Sequence, residues 1–190
     1  MIINSNTKIV GNAIILVPYE KKHVAKYHSW MENEELRRLT ASERLSLEEE
    51  YRMQKSWRED DDKCTFIILS RSLLDEGHDE IDSMIGDVNV FLYEDCAELE
   101  VMVADKKWRR RGVAREAICL MLTYCNTWLH IETFRVKIVD DNIASITLFE
   151  KLGFEKESYC PVFKEHTLFL YPKGVSKIVE NCDLIIEPYR

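Results

Sequence analysis

Read for the spacing of its apolar positions, the chain alternates between short β-type runs and amphipathic helical ones. "AIILV" (13–17) is an unbroken apolar run closed by Pro18, which predicts a strand. Between Glu20 and Met31 the side chains Val24, Tyr27, Trp30 and Met31 fall on one face of a helix. A short helix is expected over Glu34–Leu39. Ser46 and Glu49 then form an S-x-x-E capping box that opens a helix running to Trp57. The acidic run "EDDD" (59–62) ends that helix as a solvated turn.

The β-branched run "CTFIILS" (64–70) predicts the next strand, and the polar stretch "LLDEGHDEID" (73–82) a surface loop. Strands follow at 83–93 and 97–104, then a long helix over Val113–Leu129. "FRVKIV" (134–139) reads as a strand and "NIASITLFEKLG" (142–153) as a helix stopped by Gly153. "FEKESYC" and "HTLFLY" close the pattern as an antiparallel hairpin with a wide loop. Hairpins mixed with β-α-β units indicate an α+β fold with a mixed central sheet flanked by helices. Residues 173–190 carry no pattern that assigns them.

Composition narrows the picture. A length of 190 residues most simply holds one domain, and a hydrophobic fraction of 46% fits a folded chain. No apolar run approaches the roughly 18 residues of a membrane span, and "MIINSNTKIVGN" lacks the layout of a signal peptide. The six cysteines, at 64, 96, 119, 125, 160 and 182, form no C-x-x-C pair and read as free thiols of a reducing, cytoplasmic compartment. The histidines at 23, 28, 78, 130 and 166 show no metal-ligand spacing, so no metal is expected. A net charge of -8, from 26 basic and 34 acidic residues, argues against a nucleic-acid binder.

Against that acidic background "WRRRGVAREA" (108–117) concentrates positive charge directly before a predicted helix. A helix N-terminus offers unpaired N–H groups and a partial positive charge. Gly112 and Ala114 have little or no side chain, and Arg109, Arg110, Arg111 and Arg115 add charge beside those amides. The arrangement suits a pyrophosphate, though an "RRR" run serves equally as a solvated surface or part of a localisation signal.

Arg109-x-x-Gly112-x-Ala114 after a strand, followed by Asn142, Ser145 and "LFEKLGF" (148–154), resembles the GNAT superfamily of acetyl-CoA-dependent N-acetyltransferases. "LRRLTASERLSLEEEY", "DDKCTFIIL", "GDVNVFLY" and "EVMVA" are similar to the eukaryotic N-acetyltransferase-nine branch, which is associated with acetylating protein N-termini, including those of α- and β-tubulin. The resemblance implies the GNAT fold over residues 8–172, with 173–190 left as a tail. It implies that strand 97–104 splays from strand 134–139 and that acetyl-CoA lies in the gap. Its pantetheine arm would then pair with backbone near Met102, Val103 and Ala104, and its pyrophosphate would meet the amides from Arg110 through Gly112, Val113 and Ala114 to Arg115. Asn142 would meet the cofactor too, while Asp141 or Asn142 could cap the helix.

Acetyl transfer needs a neutral amine, and a carboxylate near the acceptor can take its proton. Strand alternation places Glu98, Glu100 and Met102 on one face, which makes the two glutamates the candidate bases; either could instead pair with neighbouring cations. Glu98 is favoured because its "A-E-L" position resembles the related group's recurrent acidic site. Phe149 stands where the family usually places a proton-donating tyrosine, and Lys137 where some relatives carry a catalytic glutamate. Tyr27, His28 and Trp30 are candidates to line the acceptor groove, with core packing the stronger role for Trp30. The expected acceptor is a protein N-terminal α-amine, including that of tubulin chains, with no nucleic acid or membrane as partner. Two alternatives stand beside it: a lysine or small-amine acceptor, and a non-catalytic module that binds coenzyme A or a partner.

Overall fold

The apolar runs become strands of one nine-stranded mixed sheet, described over residues 3–190 in a computed structural model. In chain order the strands are β1 (Thr7–Val10), β2 (Ile14–Pro18), β3 (Lys63–Ser70), β4 (Met84–Leu92), β5 (Ala97–Val103), β6 (Phe134–Val139), β7 (Glu155–Cys160), β8 (Glu165–Leu170) and β9 (Ile185–Pro188). Across the sheet they run β7-β8-β6-β5-β4-β3-β2-β1-β9. Neighbours are antiparallel except β5 and β6, which are parallel. The helices are α1 (Val24–Met31), α2 (Glu34–Leu39), α3 (Leu47–Glu59), α4 (Arg71–Asp75), α5 (Val113–Leu129), α6 (Ile143–Lys151) and α7 (Pro172–Val179).

β3 shows why its run is apolar at nearly every position. Cys64, Phe66 and Ile68 join a core with Ala117, Ile118 and Met121 of α5. Ile67 and Leu69 join a second core with Val24, Tyr27 and Met31 of α1. A central strand covered on both faces needs apolar side chains on both, each fully buried one contributing about 1.5–3 kcal/mol.

The local signals place several elements directly. At the start of α3 the Ser46 hydroxyl accepts from the Glu49 amide (3.3 Å) and the Ser46 amide donates to Glu49 Oε2 (2.8 Å), the reciprocal box that the sequence predicts. The expected helical face Val24, Tyr27, Met31 is buried, with Trp30 partly buried beside it; residues Lys21–His23 form a 3-10 turn before the helix.

Three expectations change. The first residues of the run expected to be a loop, 73–75, belong to α4, because Ser70 at the strand end accepts from the Leu73 amide and caps a five-residue helix too short to show a period. The β7–β8 connection is four residues long, tighter than the wide loop expected. Residues 173–190 are built into the structure. Val175 of α7 is buried in the core shared with α5, and β9 pairs with β1 from Thr7↔Pro188 to Val10↔Ile185.

Two features at the centre of the sheet position the site. β5 and β6 pair only at Ala97↔Phe134 and Glu98↔Arg135 and then part, leaving a notch. On the other side of β5, Gly86 of β4 lies so close that a Cβ there would stand 2.0 Å from the Met102 carbonyl oxygen. Only glycine permits that approach.

Candidate active site

The notch opens into a cleft of about 560 Å³ whose floor is one face of β4, β5 and β6. Strand register writes that floor as rows: Phe91 opposite Glu98 opposite Arg135, Asn89 opposite Glu100, and Asp87 opposite Met102. The period of two that puts Glu98 and Glu100 on one face also puts Asp87, Asn89 and Phe91 on it, and Lys63 of β3 stands opposite Phe91. Tyr27 of α1, Glu50 and Trp57 of α3, and Glu165 of β8 complete walls drawn from the first helices and the last hairpin.

The two candidate bases sit in different surroundings. Glu98 is nearly buried and ion-paired, its Oε2 accepting from Arg135 Nε (2.7 Å) and Lys137 Nζ (3.1 Å). Among the described residues Glu100 has no such cationic partner, and it is reached by solvent from the cleft. The surrounding protein still strips enough hydration to push its carboxyl above the ordinary range, while Lys63, a hydrogen bond from Asn89 and Lys137 pull the other way.

In and behind the walls and floor around Glu100 stand groups the sequence reading did not single out. Asp87 is 3% exposed, and burial pushes its carboxyl up to about 7; Asn89 Nδ2 donates to it at 3.3 Å. Burial raises Glu50 as well, with His28 Nδ1 3.8 Å from Oε1. Lys63 is 1% exposed, and burial lowers its ammonium to about 8. A signal for part of this set exists in "GDVNVFL" (86–92), where two polar residues spaced by two interrupt an otherwise apolar strand. Of the expected groove residues, Tyr27 lines the cleft, His28 stands beside Glu50, and Trp30 packs its ring 6.0 Å from that of Tyr27.

At the other end of β5 the backbone decides what faces the notch. The Ala97 amide bonds across to Thr133 and the Ala104 amide bonds back to Ile85. Alternation between these points aims the backbone of Leu99, Val101 and Val103 into the notch and that of Met102 toward β4. Of the three residues expected to offer backbone to a cofactor, Val103 therefore faces the notch, whereas Met102 and Ala104 turn away. The Val103 carbonyl already accepts from Arg109 Nε (3.0 Å), which ties that arginine to the strand end.

Gly112, at φ +84°, is the N-cap of α5, a left-handed conformation that favours glycine; it offers no side chain to the first-turn amides of Val113, Ala114 and Arg115. Arg110, itself at φ +62°, and Arg111 and Arg115 are exposed around that helix end. The Arg111 guanidinium lies 5.5 Å from the Trp108 ring centroid. Across the notch Asn142 caps α6, its Oδ1 accepting from the Ser145 amide at 3.2 Å. Phe149 lines the cleft, 3% exposed and packed edge-on against Phe154, with no proton to give. The short helix α2 is fastened to both loops flanking the notch, through Glu35–Lys106 (2.6 Å) and Arg38–Asp141. Among the described residues no helix is long and apolar enough to cross a membrane, and no group of three or more His, Cys, Asp or Glu is placed to hold a metal ion.

A mixed sheet parted between two parallel strands, with an uncapped helix end at the parting and carboxylates on the floor, is the architecture of an N-acetyltransferase. Residues 13–155 match the acetyltransferase (GNAT) domain family, and the chain belongs to that family. It is 53% identical over 179 residues to an N-acetyltransferase 9-like protein of Caenorhabditis briggsae, covering 90% of this chain and 88% of that one. It is 46% identical to the alpha/beta-tubulin-N-acetyltransferase 9 of Drosophila melanogaster over the whole of both chains. The Homo sapiens protein of that name is 48% identical, with 90% of this chain and 86% of that one covered. Among solved structures, the spermidine N-acetyltransferase of Vibrio cholerae in complex with CoA and spermine shares the fold with a TM-score of 0.75, at 16% identity and over 87% of this chain and 99% of that one.

Proposed function

We propose that this chain is an acetyl-CoA-dependent N-acetyltransferase whose acceptor is the α-amine of a protein N-terminus, with tubulin chains as the leading acceptors. The observation that carries the reading is the parting of β5 from β6 after two residue pairs, which opens strand backbone beside an acidic cleft. The residues present fit the cosubstrate. Notch-facing backbone of Leu99 and Val101 suits the amides of a pantetheine arm, and the uncapped start of α5 with exposed Arg110, Arg111 and Arg115 suits a pyrophosphate. Acetyl-CoA supplies the activated acetyl thioester.

Glu100 is the proton acceptor in this reading. Its oxygens are not held by a cation, it is reached from the cleft, and its raised pKa brings it closer to that of the amine it must deprotonate. Glu98, fixed by Arg135 and Lys137, positions the neighbouring strand instead. An α-amine, with a pKa of about 8, gives up its proton more readily than a lysine at about 10.4, so a single carboxylate suffices. Phe149 holds no proton for a departing thiolate, and a thiol with a pKa of about 8.5 leaves without one. The relatives' names support tubulin as acceptor, and a cytoplasmic place of action goes with that acceptor and with six unbridged cysteines.

The test is tandem mass spectrometry after incubation with acetyl-CoA and peptides that carry both a free N-terminus and an internal lysine, Met-Arg starts among them. Acetyl on α-amines is expected. Acetyl on lysine alone would overturn the choice of acceptor, and coenzyme A binding with no transfer to any peptide would overturn the choice of a protein acceptor.

A further inference from the structure

Lys63 has no role in the reading above, yet its surroundings are unusual for a lysine. It opens a strand whose next six residues are almost wholly apolar, and its side chain is buried. Nζ stands 3.2 Å from the ring centroid of Trp57 and 3.5 Å from that of Phe91, clamped between two aromatic faces. Among the described residues it has no hydrogen-bond partner. Ring faces attract a cation through their quadrupole and so compensate for part of its lost hydration. A carboxylate in direct contact would cancel the charge at close range; two rings leave its field extending beyond them.

The direction of that field follows from the register. Trp57 and Phe91 both line the cleft, so the ammonium sits behind its aromatic wall. Lys63 is opposite Phe91, Phe91 is opposite Glu98, and Glu100 lies on the same face one pair further along. The groups around Glu100 are Lys63 from β3, Asp87 and Asn89 from β4, Glu98 from β5, Lys137 from β6, and Tyr27 from α1. Two of these are cations. Lys137 is committed to Glu98 at 3.1 Å, which leaves Lys63 as the cation facing Glu100 without a carboxylate of its own in contact.

We propose that Lys63 is a positioning residue for the acetyl transfer: its ammonium, clamped between Trp57 and Phe91 behind the cleft wall, keeps Glu100 ionised and able to accept a proton. The proposal rests on the reading of Glu100 as the proton acceptor. After burial, which raises Glu100, Lys63 is the largest influence on that carboxyl and acts to lower it. The effect is mutual, since Glu100 is also the largest influence holding the buried Lys63 charged.

The experiment is Lys63→Met, which keeps the length of the apolar stem and removes the charge. Two readouts are taken in parallel: the pH profile of kcat/KM, and the titration of the Glu100 side-chain carboxyl followed by carbon-13 NMR in the ligand-free protein. The Glu100 midpoint is expected to rise, and the acidic limb of the profile to move up with it. The high-pH plateau should stay in place, while kcat/KM on the acidic side falls about threefold to tenfold. A midpoint that rises while the limb stays put supports the action of Lys63 on Glu100 and removes Glu100 as the base. An unmoved midpoint in a folded variant overturns the proposal. Should the variant fail to fold, the unmodified protein answers the same question. The Glu100 carboxyl signal should show a second small inflection at the pH where Lys63, followed through its own Cε signal, loses its proton, and a flat trace there overturns the proposal.

Discussion

The three consecutive arginines differ in what they hold, and coenzyme A binding should separate them. Arg109 Nε is spent on the Val103 carbonyl, whereas Arg110 and Arg111 are exposed beside an uncapped helix end. Two unit charges about 4 Å apart in water attract by about 1 kcal/mol. Exposed pairs rarely exceed that once side-chain entropy is counted, so each free arginine should be worth about fivefold in Kd. Replacing Arg110 and Arg111 together by alanine should weaken coenzyme A about 25-fold at low salt. The screening length falls from about 30 Å at 0.01 M salt to about 3 Å at 1 M, so the gap from the unmodified protein should close as salt rises. Arg109→Ala should instead lose affinity by a factor that salt barely changes, because it frees a carbonyl and loosens the strand end. Isothermal titration with coenzyme A at the two salt concentrations is the assay. A salt-dependent loss for Arg109→Ala with none for the double variant would refute the assignment, and no loss in either would remove the pyrophosphate from this helix end.

Glu100→Gln should lower kcat about a hundredfold to a thousandfold while leaving coenzyme A affinity unchanged in titration calorimetry. Glu98→Gln should act chiefly on stability, by about 1–3 kcal/mol in urea unfolding, since it strips Arg135 and Lys137 of their shared carboxylate. Gly86→Ala should cost about 3 kcal/mol in the same assay, because the added carbon cannot clear the Met102 carbonyl without parting β4 from β5. Burial opposes the ionisation of Glu80, but hydrogen bonds from His23 Nε2 (2.5 Å), Tyr189 Oη (2.7 Å) and Lys22 Nζ (3.0 Å) outweigh it and hold the carboxyl at about 2. A depressed carboxylate contributes stability that is full above its ordinary 4.5 and is lost as pH falls toward 2, so Glu80→Gln should flatten thermal stability across that window.

How much of this was legible in the sequence depended on whether the deciding interaction was local. α5 carries its apolar stripe over seventeen residues, and its predicted limits match the structure. The Ser46 box and the six residues of β6 were equally plain. β1 and β9 were not: each is four residues long, and β9 gains its ladder from β1 at the far end of the chain. α4 has too few residues for a period to show. In the site, alternation put Glu98 and Glu100 on one face but could not tell them apart. The difference comes from the β5–β6 register, which sets Arg135 opposite Glu98 and leaves Glu100 beyond the last β5–β6 pair. Charge density marked the arginine cluster without showing that one member is bound to a carbonyl six residues back. Lys63 lay outside the strand expected over 64–70, since what buries it is a pair of aromatic rings from α3 and β4.

The fastening of α2 bears on how quickly the enzyme can turn over. Leu36 is its buried anchor, while its links to the two loops flanking the notch, Glu35–Lys106 and Arg38–Asp141, are made by side chains open to solvent. Such links are weak, shielded by ordinary salt and remade without a search, so they act as a latch and not a weld. A greasy seam over the notch would hold spent coenzyme as firmly as fresh and make its exit the slow event of each cycle. Leu36 and the bond from Arg37 to the Met31 carbonyl seat the helix on its own side, so the hold on the two loops is the part that ordinary salt weakens.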